Sequence, residues 1–67
     1  MNTKLKNMVS DLFEAAVSKS EVRSSNGEIN WSLVDDDISF EWCPSSDKER
    51  VWYRDYFQEL KADYLNK

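Results

Sequence analysis

The sequence predicts an α+β fold for its 67 residues, a single small domain (1–67) of order α-β-β-α. Apolar residues at helical spacing occur near both ends of the chain, over about 3–19 and about 47–65. Between them, over about 28–43, apolar and polar residues alternate. Helical spacing indicates amphipathic helices, and strict alternation indicates half-buried strands. We therefore expect two helices on one face of an antiparallel hairpin.

Each predicted helix has one apolar face with the same spacing of i, i+3, i+4, i+7 and i+11. In the first helix these residues are Leu5, Met8, Val9, Leu12 and Ala16, and in the second they are Tyr53, Tyr56, Phe57, Leu60 and Tyr64. The second helix is preceded by Ser46-Asp47-Lys48-Glu49, which matches the capping box that opens many helices.

The predicted hairpin joins two alternating runs through a four-residue connection, Val34-Asp35-Asp36-Asp37. Aspartate is common in turns because its carboxylate accepts hydrogen bonds from nearby backbone N–H groups. The expected register buries six apolar side chains on one face, as the pairs Leu33 with Ile38, Trp31 with Phe40, and Ile29 with Trp42. Asn26-Gly27 is a second hairpin signal, so residues 22–25 are the candidate for a third short strand at the edge.

The composition disfavours catalysis and metal binding. The chain has no histidine, one cysteine and one glycine. It therefore has no histidine general base, no ligand set for structural zinc and no phosphate-binding glycine loop. We expect no enzymatic activity, no metal and no cofactor. With no signal peptide or apolar span visible, the expected location is the cytoplasm.

The net charge of −4 is concentrated in the middle of the chain. Residues 20–43 contain one basic residue and six acidic ones, a net charge of −5. On the predicted second helix, acidic residues lie on one flank beside Trp52, while Arg50, Arg54 and Lys61 lie on the other. Because a nucleic-acid surface needs positive charge, direct nucleic-acid binding is disfavoured.

These acidic and aromatic residues form the candidate partner-binding site. It consists of Asp35, Asp36, Asp37, Glu41, Trp52, Asp55, Glu59 and Asp63. Two interpretations of the three aspartates stay open, a solvated turn and a binding epitope. Trp52 likewise has two interpretations, a side chain covered by the sheet or a loop and an exposed anchor of the kind found at interface hot spots.

Residues 24–40, SSNGEINWSLVDDDISF, resemble a segment of small uncharacterised accessory proteins of tailed bacteriophages. In those proteins an Asn-Trp-x-aromatic-Val-Asp-x-Asp core lies between an N-terminal helix and an acidic aromatic helix. The matching residues here are Asn30, Trp31, Val34, Asp35 and Asp37. Leu33 stands in place of the aromatic residue and Asp36 in place of a small one. The resemblance implies a phage or prophage origin and assigns no functional residues.

The sequence thus favours a small acidic protein-binding module, a phage-encoded effector that inhibits or redirects a host protein with a basic surface. One alternative is a nucleic-acid mimic that occupies the groove of a DNA- or RNA-binding enzyme. Another is a structural or self-associating protein, in which Val51, Trp52 or Leu65 is buried in a homodimer. No membrane partner is expected.

Overall fold

The computed structural model describes residues 3–66 and consists of three helices. They are α1 (Thr3–Val17), α2 (Trp31–Glu41) and α3 (Asp47–Leu65), with one 3₁₀ turn at Ser20–Val22. Within this range the only strand-like pairing is an isolated antiparallel bridge between Arg23 and Ile29. Residues 1, 2 and 67 of the predicted domain lie outside the described residues.

The predicted α+β class is wrong, because α2 occupies the segment expected to form the hairpin over about 28–43. Asn30 caps this helix: its side-chain oxygen accepts a hydrogen bond from the Ser32 N–H at 3.1 Å. An asparagine at this position satisfies one of the donors that a helix N-terminus leaves without a partner. An isolated helix of 11 residues is marginal in water, so α2 is stabilised mainly by the burial of its inward face, including Val34 and Ile38.

The inward face of α2 has the spacing that predicted the other two helices. Its residues are Trp31, Val34, Asp35, Ile38 and, one residue past the helix end, Trp42. Asp35 occupies the i+4 position of this pattern. Because a charged residue interrupts the apolar spacing there, the segment was not predicted to be helical. Leu33 and Phe40, which created the apparent alternation, are exposed. Val34 and Ile38 are almost completely buried, and each such side chain contributes about 1.5–3 kcal/mol.

The Asn26-Gly27 turn forms, although the third strand does not. Gly27 has φ 86°, a conformation that glycine adopts without steric cost. The Gly27 N–H donates to the Ser24 carbonyl at 3.0 Å, and the Ser24 N–H donates to the Glu28 carbonyl at 2.9 Å. A single bridge follows, and Asn30 then starts α2. The turn therefore serves to lead the chain from the 3₁₀ turn into a helix.

The capping box at α3 forms with one shift. The Ser46 hydroxyl accepts from the Glu49 N–H at 3.2 Å, while the Glu49 carboxylate accepts from the Ser45 N–H at 2.9 Å. The glutamate thus reaches one residue further back than in the usual motif. Both bonds satisfy backbone donors at the beginning of α3. The negative charges of Asp47 and Glu49 in its first turn also interact favourably with the positive end of the helix dipole.

Aromatic rings join α3 to the other two helices. Phe13 of α1 lies against Phe57 and Tyr64 with ring centroids 5.6 Å and 6.5 Å apart. Trp31, at the start of α2, lies 5.9 Å from Tyr64, and Trp42, just past its end, lies 5.4 Å from Tyr53. Helices α2 and α3 therefore run antiparallel. The core consists of Val9, Phe13, Ala16, Val17, Val22, Val34, Ile38, Tyr53 and Phe57.

None of the helices in residues 3–66 is both long and apolar enough to cross a membrane.

Candidate functional site

The three consecutive aspartates do not form a common acidic tip. Successive residues of a helix are rotated by about 100° because a turn takes about 3.6 residues. Asp35 therefore faces α3, Asp37 faces the segment that follows α1, and Asp36 faces solvent. The turn predicted for these residues is wrong, because all three lie within α2.

Asp35 is held by Tyr53 of α3. The Tyr53 hydroxyl donates a hydrogen bond to Oδ1 of Asp35 at 2.5 Å, in a partly buried position. Burial raises the pKa of the Tyr53 hydroxyl well above its ordinary value of 10.0, and the hydrogen bond and the negative charge of Asp35 raise it further. The neutral hydroxyl is therefore the stable form, and Asp35 serves to join α2 to α3.

Asp37 forms an ion pair with Lys19, with Nζ and Oδ2 at 3.1 Å. The two side chains are 35% and 48% exposed, so solvent screens the attraction and the pair contributes little to stability. The charge of Asp37 is thus partly balanced from within the chain, whereas Asp36 has no such neighbour among residues 3–66. Of the three carboxylates, Asp36 is the one most accessible to a partner.

The outward side of α2 combines these acids with exposed apolar side chains. Leu33, Asp36, Asp37 and Phe40 fall at i, i+3, i+4 and i+7, which is one helical face; we call it the α2 ridge. Leu33 is 40% exposed and Phe40 is 87% exposed. Glu41, next to Phe40 at the last position of the helix, is exposed as well. The α2 ridge therefore presents one fully projecting aromatic ring with carboxylates on two sides.

Leu33 and Phe40 were absent from the predicted site because the strand interpretation placed both in the core. The signal that identifies them is their separation of seven residues, which places them on one face of any helix. Their face lies opposite the residues that contact α3, namely Trp31, Asp35 and Trp42. An interpretation of the segment as helical would have revealed both features together.

The second half of the predicted site lies on α3 and is separate. Asp55, Glu59 and Asp63 are exposed along one flank of α3. Trp52 is half-buried: its ring stacks on Tyr56 at 5.3 Å and meets the edge of Trp42 at 6.5 Å. Of the two interpretations, the covered one fits this geometry, with Trp42 from beyond α2 in place of the sheet. Trp52 therefore contributes mainly to packing.

Two of the grooves that border α3 differ in charge. The groove between α1 and α3 has a volume of about 530 Å³ and carries Glu14 and Asp63 at its edge. The groove between α2 and α3, of about 380 Å³, carries Arg50, Arg54 and Lys61. Lys61 already lies over the Trp31 ring, 5.3 Å from its centroid. Phe13 stacks against the same ring at 6.0 Å, so Trp31 does not offer a bare face to a planar ligand.

Across the part of the chain that the structure describes, no group of three or more cysteine and carboxylate side chains is placed to hold a metal ion. Cys43 is exposed, and its thiol donates to the Ser39 carbonyl at 3.3 Å. This contact caps the C-terminal end of α2 and gives the thiol a structural position.

Comparisons of the chain with protein-family models, curated proteins and solved structures found no match. The function of the protein is therefore inferred from the exposed residues of the α2 ridge.

Proposed function

We propose that this protein is a small protein-binding module and that the α2 ridge is its docking surface. The observation that carries the proposal is Phe40, whose side chain is 87% exposed beside the carboxylates of Asp36 and Glu41. Aromatic side chains are enriched at interface hot spots, where a partner covers them. A phenylalanine in this position contributes little to the fold and is free to be covered by a partner.

The expected partner surface is apolar at its centre and basic at its edge. Phe40 fits an apolar pocket, and covering such a side chain contributes about 1.5–3 kcal/mol. Asp36 and Glu41 would then face lysine or arginine side chains around that pocket. Complementary charges of this kind mainly accelerate association and select the partner.

The phage resemblance of residues 24–40 supports a partner from a bacterial host. We infer a host protein that this module inhibits or redirects. A nucleic-acid mimic is less favoured by the geometry, because the three aspartates diverge. Counting ion pairs within residues 3–66, only Asp36 of the three is both exposed and unpaired. The response to salt separates the two, since a mimic depends on screened charges far more than an aromatic anchor does.

The direct experiment places a photo-cross-linking amino acid at position 40 in bacterial cells. Position 28, exposed in the turn, serves as the matched control. We expect one protein to cross-link from position 40 and not from position 28. The captured protein is then purified, and its affinity is measured for the native chain, Phe40→Ser, Asp36→Lys and Glu41→Lys.

We expect Phe40→Ser to weaken that affinity at least about thirtyfold, which corresponds to the loss of a hot-spot residue. Each lysine substitution should slow association and reduce its salt dependence. The proposal fails if Phe40→Ser binds as tightly as the native chain, or if the control position captures the same protein.

A further inference from the structure

The outward side of α3 has an apolar row of its own. Val51 is 53% exposed and Leu65 is 62% exposed, and Gln58 lies midway between them. The three residues are seven apart, so they share one face of the helix, which we call the α3 ridge. The residues of α3 that contact α1 and α2, among them Tyr53, Phe57 and Tyr64, lie on the opposite side.

The two flanks of the α3 ridge have opposite charge. Arg50 and Arg54 lie on one flank, and Asp55 and Glu59 lie on the other. Within residues 3–66, none of these four side chains forms an ion pair. Like charges four residues apart destabilise a helix by a few tenths of a kcal/mol per pair. The separation of charge therefore opposes the stability of the isolated helix and needs another explanation.

We propose that α3 pairs with α3 of a second copy of this chain, side by side and parallel, about a two-fold axis along the helices. In a parallel pair each acidic flank faces the basic flank of the other helix. In an antiparallel pair related by a two-fold axis, acidic flank faces acidic flank. The arrangement of charge on α3 thus selects both the partner and its direction.

The contacts of such a pair follow from the positions on α3. Val51 packs against Val51 of the second copy, and Leu65 against Leu65. The Gln58 amides meet at the centre, where a polar residue fixes register and the number of strands. Across the flanks, Arg50 and Arg54 lie nearest Asp55 and Glu59 of the second copy, and charge pairs of this kind set partner choice and orientation in coiled coils.

The dimer should be weak and dependent on concentration. One pair of helices with five turns each buries less area than the roughly 1,200–2,000 Å² typical of stable complexes. Sedimentation of the native chain from micromolar to millimolar concentration should show a shift from monomer to dimer. A native chain that stays monomeric at millimolar concentration would overturn the proposal.

Two charge variants, each tested alone and in a mixture, show whether the oppositely charged flanks pair between the two copies. The first, Asp55→Lys with Glu59→Lys, makes both flanks basic, and the second, Arg50→Glu with Arg54→Glu, makes both acidic. Lys61 stays native because it lies over Trp31. We expect each variant alone to dimerise at least about tenfold more weakly than the native chain, and the equimolar mixture to form a heterodimer. Recovery in the mixture shows that both variants are folded, and variants that dimerise as the native chain does contradict the flank assignment.

The direction of the pair is tested by disulfide formation, with Cys43→Ser as the background. Val51→Cys and Leu65→Cys are prepared as separate chains, mixed and oxidised. A parallel pair gives disulfides between like positions, and mass spectrometry should find the 51–51 and 65–65 species. A predominant 51–65 species would show an antiparallel pair and overturn the proposal.

Discussion

Asp35 and Tyr53 join α2 to α3 through a hydrogen bond of 2.5 Å between the tyrosine hydroxyl and the aspartate Oδ1. This contact explains why a carboxylate occupies the inward face of α2 among Trp31, Val34 and Ile38. It also separates the roles of three adjacent identical residues, since Asp35 supports the fold, Asp37 pairs with Lys19 and Asp36 is accessible.

Replacing Asp35 should destabilise the chain more than replacing its neighbour. Asp35→Ala leaves the part-buried Tyr53 hydroxyl without its acceptor, which costs about 1–3 kcal/mol. Asp36→Ala, the matched control at an exposed site, should change the free energy of unfolding by less than about 0.5 kcal/mol. Urea unfolding followed by circular dichroism measures both. Equal effects of the two substitutions would contradict a structural role for Asp35.

Stability should fall at alkaline pH because of Tyr53. The pKa of its hydroxyl is raised in the folded chain, so the neutral form contributes stability that is fully present below the unfolded pKa of about 10 and is lost as the pH rises above it. The slope for this one group reaches about 1.4 kcal/mol per pH unit. We expect Tyr53→Phe to be less stable at neutral pH and to show a shallower fall above a pH of about 10. A native chain and a variant with parallel pH profiles would contradict this origin of the effect.

Replacing Phe40 and replacing Phe13 should change the free energy of unfolding by very different amounts. Phe40→Ser removes an exposed ring and should alter the free energy of unfolding by less than about 0.5 kcal/mol. Phe13→Ala removes a ring that is 3% exposed and should cost about 3–5 kcal/mol. Thermal and urea unfolding compare the two. A large loss of stability in Phe40→Ser would mean that the ring packs against the fold and is not free to anchor a partner.

A proline at position 36 distinguishes a helix from a turn. In the middle of α2, Asp36→Pro removes a backbone donor and crowds the preceding turn, which costs about 3 kcal/mol or more. At the tip of a hairpin the N–H of residue 36 would not belong to a helical or interstrand hydrogen-bond ladder, so the same substitution would cost less there. Asp36→Ala is the control, since alanine favours helices. The unfolding midpoint should drop sharply for proline and change little for alanine.

The two terminal helices were predictable from sequence because their apolar faces are uninterrupted. Leu5 to Ala16 and Tyr53 to Tyr64 follow the helical spacing at every place, and α1 and α3 lie over these residues. The Ser46 cap and the Asn26-Gly27 turn were also visible, since each depends on neighbours in the chain.

The middle segment was not predictable by the same means. An 11-residue helix carries only a few inward residues, and one of them is Asp35, whose partner Tyr53 lies 18 residues away in sequence. Leu33 and Phe40 then completed a false alternation with Trp31 and Trp42. A pattern of apolar and polar residues cannot reveal that a carboxylate faces inward to accept a hydrogen bond from a hydroxyl far away in sequence. It also cannot reveal that an aromatic residue is exposed.

The same error shaped the predicted site. Asp36, Glu41 and the acids of α3 are exposed as expected. In contrast, Asp35 is hydrogen-bonded to Tyr53, and Trp52 packs against Trp42 and Tyr56. The apolar residues of both ridges, Phe40 above all, become visible only once the segment is recognised as a helix.

The helical state of residues 31–41 can be measured through proton–proton contacts by nuclear Overhauser spectroscopy. A helix predicts contacts between the Hα of each residue and the Hβ three residues later, including Asp35 with Ile38 and Asp37 with Phe40. The packing of α2 on α3 also predicts contacts between the Tyr53 ring and the Asp35 side chain. Cross-strand contacts between Trp31 and Phe40 and between Leu33 and Ile38 would contradict this fold, because they belong to a hairpin in which Phe40 is buried and the α2 ridge does not exist.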